Sequence, residues 1–109
     1  MYATPMTTKR LAQIDKRIGK IKAELAAIGE MRPGSLTRQY KHPRSGSGAY
    51  YQLSYTLDMK SRTDYIPRDW VSEVRAQVGT YKRFKSLSAE WVGLSIERCR
   101  LTMKLARGP

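Results

Sequence analysis

Thiol and imidazole are nearly missing from this sequence, which holds one cysteine, Cys99, and one histidine, His42, in 109 residues. A single thiol excludes an intramolecular disulfide framework and any multi-thiolate zinc site within one chain, and it favours a reducing compartment. Acidic residues are scarce too, and between Met31 and Gly48 there are none. Long apolar runs are lacking: no stretch approaches the roughly 18 consecutive apolar residues of a membrane span. Residues 1 to 8 are small and polar where a signal peptide would carry an apolar core. The expectation from these absences is a cytoplasmic bacterial protein, nucleoid-associated, with no membrane partner.

What is abundant is positive charge. Lys and Arg number 21 against 9 Asp and Glu, a net charge of +12. Self-repulsion on that scale is relieved by an anionic partner, and nucleic acid is the commonest one. The length fits one domain that buries about 60% of its unfolded surface, so monomer stability is expected to be modest.

Periodicity divides the chain. Leu11, Ile14, Ile18, Ile21, Leu25 and Ile28 are spaced 3, 4, 3, 4, 3, the a/d seam of a heptad helix, and predict a helix over residues 7–28. Thr7 or Thr8 is expected to cap it and Gly29 to end it in a left-handed turn. Residues 31–48, rich in Pro, Gly, Ser and basic side chains, read as a basic loop. Residues 49–66 alternate and are rich in Tyr and Thr, which predicts a β-hairpin turning near Asp58 to Ser61. Leu53, Tyr55 and Leu57 then share one face, while Gln52, Ser54 and Thr56 share the other. From Asp69, expected as the helix cap, a 3 and 4 spacing runs through Val71, Val74, Val78, Tyr81, Phe84, Leu87, Trp91, Leu94, Leu101 and Leu105, with Arg98 in an otherwise apolar place. It predicts a long helix over 69–106, in which Gly79 and Gly93 mark bends or close helix contacts. The expected fold is mainly α with a small β-hairpin, the N-terminal helix and the long C-terminal helix forming an antiparallel coiled-coil-like hairpin. The second helix is longer than the first can cover, so a homodimer through Trp91, Leu94 and Leu101 is a further expectation.

Ordered blocks carry a resemblance. They are Arg32-Pro33-Gly34-Ser35-Leu36-Thr37-Arg38-Gln39-Tyr40, Gly48-Ala49-Tyr50-Tyr51-Gln52-Leu53-Ser54-Tyr55, Lys60-Ser61-Arg62-Thr63 and Tyr65-Ile66-Pro67. Val74 to Val78, Tyr81 to Phe84 and Trp91 to Glu97 continue the set, so that it spans about residues 31–103. The chain resembles an uncharacterised family of short basic bacterial proteins often encoded beside transposase or integrase genes. Many members carry three cysteines and a histidine between the Gly-Ser-Leu block and the paired tyrosines. Here that stretch, Lys41 to Ser47, keeps His42 but has no cysteine, so the metal site implied for those relatives lacks its ligands. The resemblance implies an association with the DNA transactions of mobile elements and supplies no reaction.

For catalysis a nucleophile with its base, paired carboxylates or a metal constellation is needed, and none stands out. Asp58, Asp64 and Asp69 are each explained by a turn, a strand position and a helix cap, His42 by a solvated loop, and Cys99 by a small buried hydrophobe. No catalytic residue, metal site or cofactor is expected. Arg32, Arg38, Lys41, Arg44, Lys60 and Arg62 are expected to meet phosphates where the loop joins the hairpin, with Lys82, Arg83 and Lys85 as a second basic cluster on the long helix. Tyr50, Tyr51 and Tyr55 are placed either to stack on unpaired bases or to form the core of the hairpin. The sequence thus reads as a non-catalytic nucleic-acid-binding accessory protein of a mobile element or recombination machinery, with DNA the favoured partner. The rival readings are a coiled-coil interaction subunit on a larger recombinase or nuclease, and an RNA-binding ribonucleoprotein component.

Overall fold

A computed structural model describes residues 5–108. The molecule is mainly helical, with a small antiparallel sheet: α1 (Pro5–Ala26), β1 (Ser35–His42), β2 (Ser47–Leu57), β3 (Lys60–Ile66), a 3₁₀ turn (Arg68–Trp70) and α2 (Val71–Arg107). The described residues gather into two compact units. One joins the chain through Ile28 with the chain from Phe84 onward, and the other is Gly29–Arg83.

In the first unit the seam of α1 is the buried face. Ile14 and Ile21 are fully buried and Leu87 of α2 nearly so, while Leu11, Ile18, Leu25, Trp91, Leu94, Leu101 and Leu105 are half-buried. Arg98 interrupts the apolar spacing because its guanidinium turns to Asp15, with Nε 2.6 Å from Oδ1. Two bidentate pairs accompany it: Arg10 to Glu97 at 2.6 and 2.8 Å, and Arg17 to Glu90 at 2.6 and 2.7 Å. In exposed pairs of this kind the planar two-point geometry mainly selects which residues face each other. The Lys22 ammonium sits 5.4 Å from the centre of the Trp91 ring.

The ends of α1 differ from expectation. It starts at Pro5, before either threonine, because a proline in the first turn forfeits only an amide that has no helical partner. At its other end the Ala27 amide donates to the carbonyls of Ala23 and Glu24, and the Ile28 amide donates to Leu25. These tightened bonds end the helix, and Gly29 is not among the residues with positive φ.

The second unit corrects the reading of residues 31–48. Most of that stretch is strand β1, paired antiparallel with β2 from Ser35↔Ser54 to His42↔Ser47, so the expected hairpin of β2 and β3 is part of a three-stranded sheet in the order β1-β2-β3. Only one position of β1, Leu36, has an aliphatic side chain turned to the core, which is why no hydrophobic alternation announced the strand. Gly34 admits it: with φ of 125°, an added Cβ would lie 2.6 Å from the Ser54 carbonyl oxygen, so only glycine lets the chain run this close to β2.

Leu53, Ile66, Val71, Val74 and Val78 form the core of this unit, with Leu36, Tyr51 and Tyr55 packed against it. One sheet face therefore closes on the first turns of α2. That helix follows a 3₁₀ turn in which the Trp70 amide donates to the Pro67 carbonyl at 2.9 Å; Asp69 lies inside this turn and is not a side-chain cap, a correction to its expected role. Gly79 and Gly93 sit within the continuous helix, and a Cβ at either would meet nothing within 4 Å, so neither marks a close contact. Gly108, at φ of 63°, closes α2 by donating to Leu105, and Lys104 and Arg107 occupy the last turn, where cations offset the helix dipole. Cys99, expected to be buried, is exposed, because it lies off the helix face that carries Leu87, Leu94 and Leu101. No helix among the described residues is long and apolar enough to cross a membrane.

Candidate nucleic-acid interface

The register divides the sheet by parity. Leu36, Tyr51, Leu53, Tyr55 and Ile66 take the covered face, so the period of two sends their neighbours to the other. That open face presents Thr37, Gln39 and Lys41 from β1, Tyr50, Gln52, Ser54 and Thr56 from β2, and Thr63 and Tyr65 from β3. It has no aliphatic side chain and no carboxylate. Gln39 donates to the Thr37 hydroxyl at 3.3 Å, as expected of residues two apart on one face.

Tyr50 and Tyr65 are diagonal neighbours across β2 and β3, since Tyr51 pairs with Ile66 and Gln52 with Tyr65. Both line a shallow hollow of about 530 Å³ with Lys41, Gly48 and Ala49, and both line an adjoining hollow with Arg68. The first is open because Gly48 has no side chain. At φ of 71°, a Cβ there would stand 2.9 Å from Cβ of Lys41.

The remaining expected contacts have varied settings. Arg32 is held in place: its amide donates to the Gln77 carbonyl at 3.1 Å, its guanidinium meets Asp64 at 2.5 Å, and it lies over the Tyr55 ring. The hydrogen bond from Arg32 keeps the Asp64 carboxyl below the usual aspartate range against the opposing effect of desolvation, with a hydrogen bond involving Tyr55 adding to it. Arg38 lies 5.3 Å from the centre of the Tyr40 ring, and Arg44 sits in the exposed turn between β1 and β2. In that turn the Gly46 amide donates to the His42 carbonyl at 3.0 Å. Lys60 and Arg62 begin β3 opposite Leu57 and Tyr55. Tyr51 packs against the core, so its ring is committed to the fold. Lys82 and Arg83 belong to the same unit as the sheet, and Lys85 to the other.

Two residues escaped the sequence reading. Tyr65 is 66% exposed on the open face, and Arg68 borders it. Finding Tyr65 requires the two-residue turn at Asp58 and Met59, because a turn one residue longer would send it to the other face. Arg68 had no signal at all, lying between a strand and a helix.

A family profile described as a domain of unknown function, DUF6788, matches residues 11–76. No curated protein and no solved structure shows a significant match to the chain. The matched span covers most of α1, the whole sheet and the first turns of α2, so it reaches further toward the N-terminus than the blocks beginning at Arg32 and stops short of those beyond Gln77. With more than half of its length matched, the chain belongs to the DUF6788 family.

Proposed function

We propose that the protein is a non-catalytic nucleic-acid-binding accessory factor, with DNA as its favoured partner, serving a mobile element or recombination machinery in the bacterial nucleoid. The observation that carries this reading is the chemistry of β1, its turn and the open sheet face. Arg38, Lys41 and Arg44 stand on a segment without a single acid: Lys41 shares the open face of hydroxyls, amides and tyrosines, Arg44 lies in the turn, and Arg38 has the parity of Leu36 on the opposite face. Lys and Arg gain from phosphates through Coulomb attraction and counterion release, while hydroxyl and amide side chains fix register on the backbone. The link to mobile elements rests on the resemblance of the sequence blocks. As part of the same proposal, α1 and α2 run as an antiparallel coiled-coil hairpin; the pairing of Arg10 with Glu97 and of Arg17 with Glu90 supports that direction, since one number falls as the other rises.

A second reading, an interaction subunit that docks on a larger recombinase or nuclease or on a second copy of itself, draws support from α2. Val92, Ile96 and Met103 are 60%, 48% and 54% exposed. The test is binding of the purified protein to labelled duplex DNA, single-stranded DNA and RNA across a salt series, beside an Arg38→Ala, Lys41→Ala, Arg44→Ala variant. Under the first reading the wild type binds and the salt slope falls by about 3 on duplex in the variant. Absence of binding at physiological salt would transfer the preference to the interaction subunit, and preference for RNA over both DNAs would replace DNA as the partner.

A further inference from the structure

We infer that the open face of the sheet is a stacking platform for unpaired bases, with Tyr50 and Tyr65 as the two stacking rings and Lys41 and Arg68 holding the backbone on either side. The inference rests on the nucleic-acid reading and adds to it the strandedness of the ligand and the residues that select it.

Tyr51 and Tyr55 supply the aromatic part of the core, whereas Tyr50 and Tyr65 have the opposite parity and take no part in it. Tyr65 is exposed and Tyr50 half-buried, so both leave aromatic surface in water and together make an apolar step on an otherwise polar sheet face. Their diagonal relation on neighbouring strands sets them about 7–8 Å apart along the backbone, close enough for successive bases of one strand to reach both. The surrounding groups suit the edges of such bases: Gln39 lies opposite Tyr50, and Thr37 and Tyr65 lie on either side of Gln52, so amides and hydroxyls that both donate and accept border the rings. Cations stand on both sides of β2, Lys41 from β1 in one hollow and Arg68 after β3 in the other.

A duplex hides its base faces and offers only groove edges, so rings on an open sheet face have nothing to stack on there. Single strands expose those faces, and stacking tolerates any base because each has a π-face. The platform therefore discriminates by strandedness and little by sequence. Single-stranded DNA and RNA share this chemistry, and the 2′-hydroxyl is the one group that separates them.

The test measures affinity for a single-stranded DNA oligonucleotide, an RNA of the same sequence and the corresponding DNA duplex. It compares the wild type, a Tyr50→Ala, Tyr65→Ala variant, a Tyr50→Phe, Tyr65→Phe variant and Lys41→Gln. Circular dichroism confirms that each variant keeps the fold. The inference expects the alanine variant to lose about tenfold or more on single strands with its salt slope and duplex binding unchanged, and the phenylalanine variant to bind as the wild type does. Lys41→Gln lowers the single-strand salt slope by about 0.7. If the wild type binds single strands and the alanine variant binds them equally well, the platform is overturned while the nucleic-acid reading stands. If the wild type binds none of the three ligands, the nucleic-acid reading falls and the platform with it.

Discussion

Asp58 and Met59 form the two-residue connection between β2 and β3, with φ of 52° and 64°, between the paired residues Leu57 and Lys60. Tight hairpin turns match the twist of their strands when both central residues are left-handed, which glycine tolerates, aspartate accepts and methionine resists. Met59 is 97% exposed, so its side chain returns nothing to the core for that strain. Left-handed geometry costs a residue with a Cβ about 1–2 kcal/mol, and glycine's extra backbone entropy takes back about 0.5–1 kcal/mol. Met59→Gly is accordingly expected to raise stability by about 1 kcal/mol, read as a higher urea midpoint at unchanged slope. A lower midpoint would show that the methionine makes a contact the fold requires. Arg32 teaches the complementary lesson: a basic residue in a basic stretch invites assignment to phosphate, yet its guanidinium is already shared by Asp64 and the Tyr55 ring.

Among the elements, the helices were legible and β1 was not. The seam of α1 repeats an apolar residue at each helical turn, a pattern that no other structure satisfies, and its Ile14 and Ile21 are indeed buried. Strand β1 alternates weakly, with Leu36 followed by Arg38 and Tyr40 on the same face, and it owes its existence to pairing with β2, which no local pattern records. The glycines of the helices offer a test at this scale. Gly19, Gly79 and Gly93 are exposed, and a Cβ at each meets nothing within 4 Å, so alanine gains about 1 kcal/mol per site from helix propensity alone. The sites share no partner, so the three substitutions should add and raise the thermal midpoint stepwise. A fall at any one of them would mean that glycine there serves an assembly in which another surface approaches the helix.

At the scale of the whole molecule, charge decides. Asp15, Asp64, Glu90 and Glu97 are each held below their usual carboxylate range, chiefly by hydrogen bonds from Arg98, Arg32, Arg17 and Arg10 respectively. A carboxylate whose folded pKa is depressed contributes its stability above the unfolded value, about 4, and loses it as pH falls through the folded value. The same titration removes nine negative charges and leaves 21 Lys and Arg unopposed. The thermal midpoint is therefore expected to be flat from pH 7 to about 5 and to drop steeply below about 4. A midpoint unchanged down to pH 2.5 would show that these pairs carry no folding energy.

Composition and spacing were by themselves enough to establish the basic surface, the two helices, the hairpin around Asp58 and the parity that separates Leu53 from Gln52, because each depends on charge count or on a short local period. The tertiary structure alone decided that residues 35–42 join the sheet, that Tyr51 belongs to the core, that Arg32 is tied to Asp64, and that Tyr65 stands beside Tyr50 on the open face. Those outcomes depend on strand register and on pairing between residues distant in sequence, and a shift of one residue in register would reverse every face of the sheet.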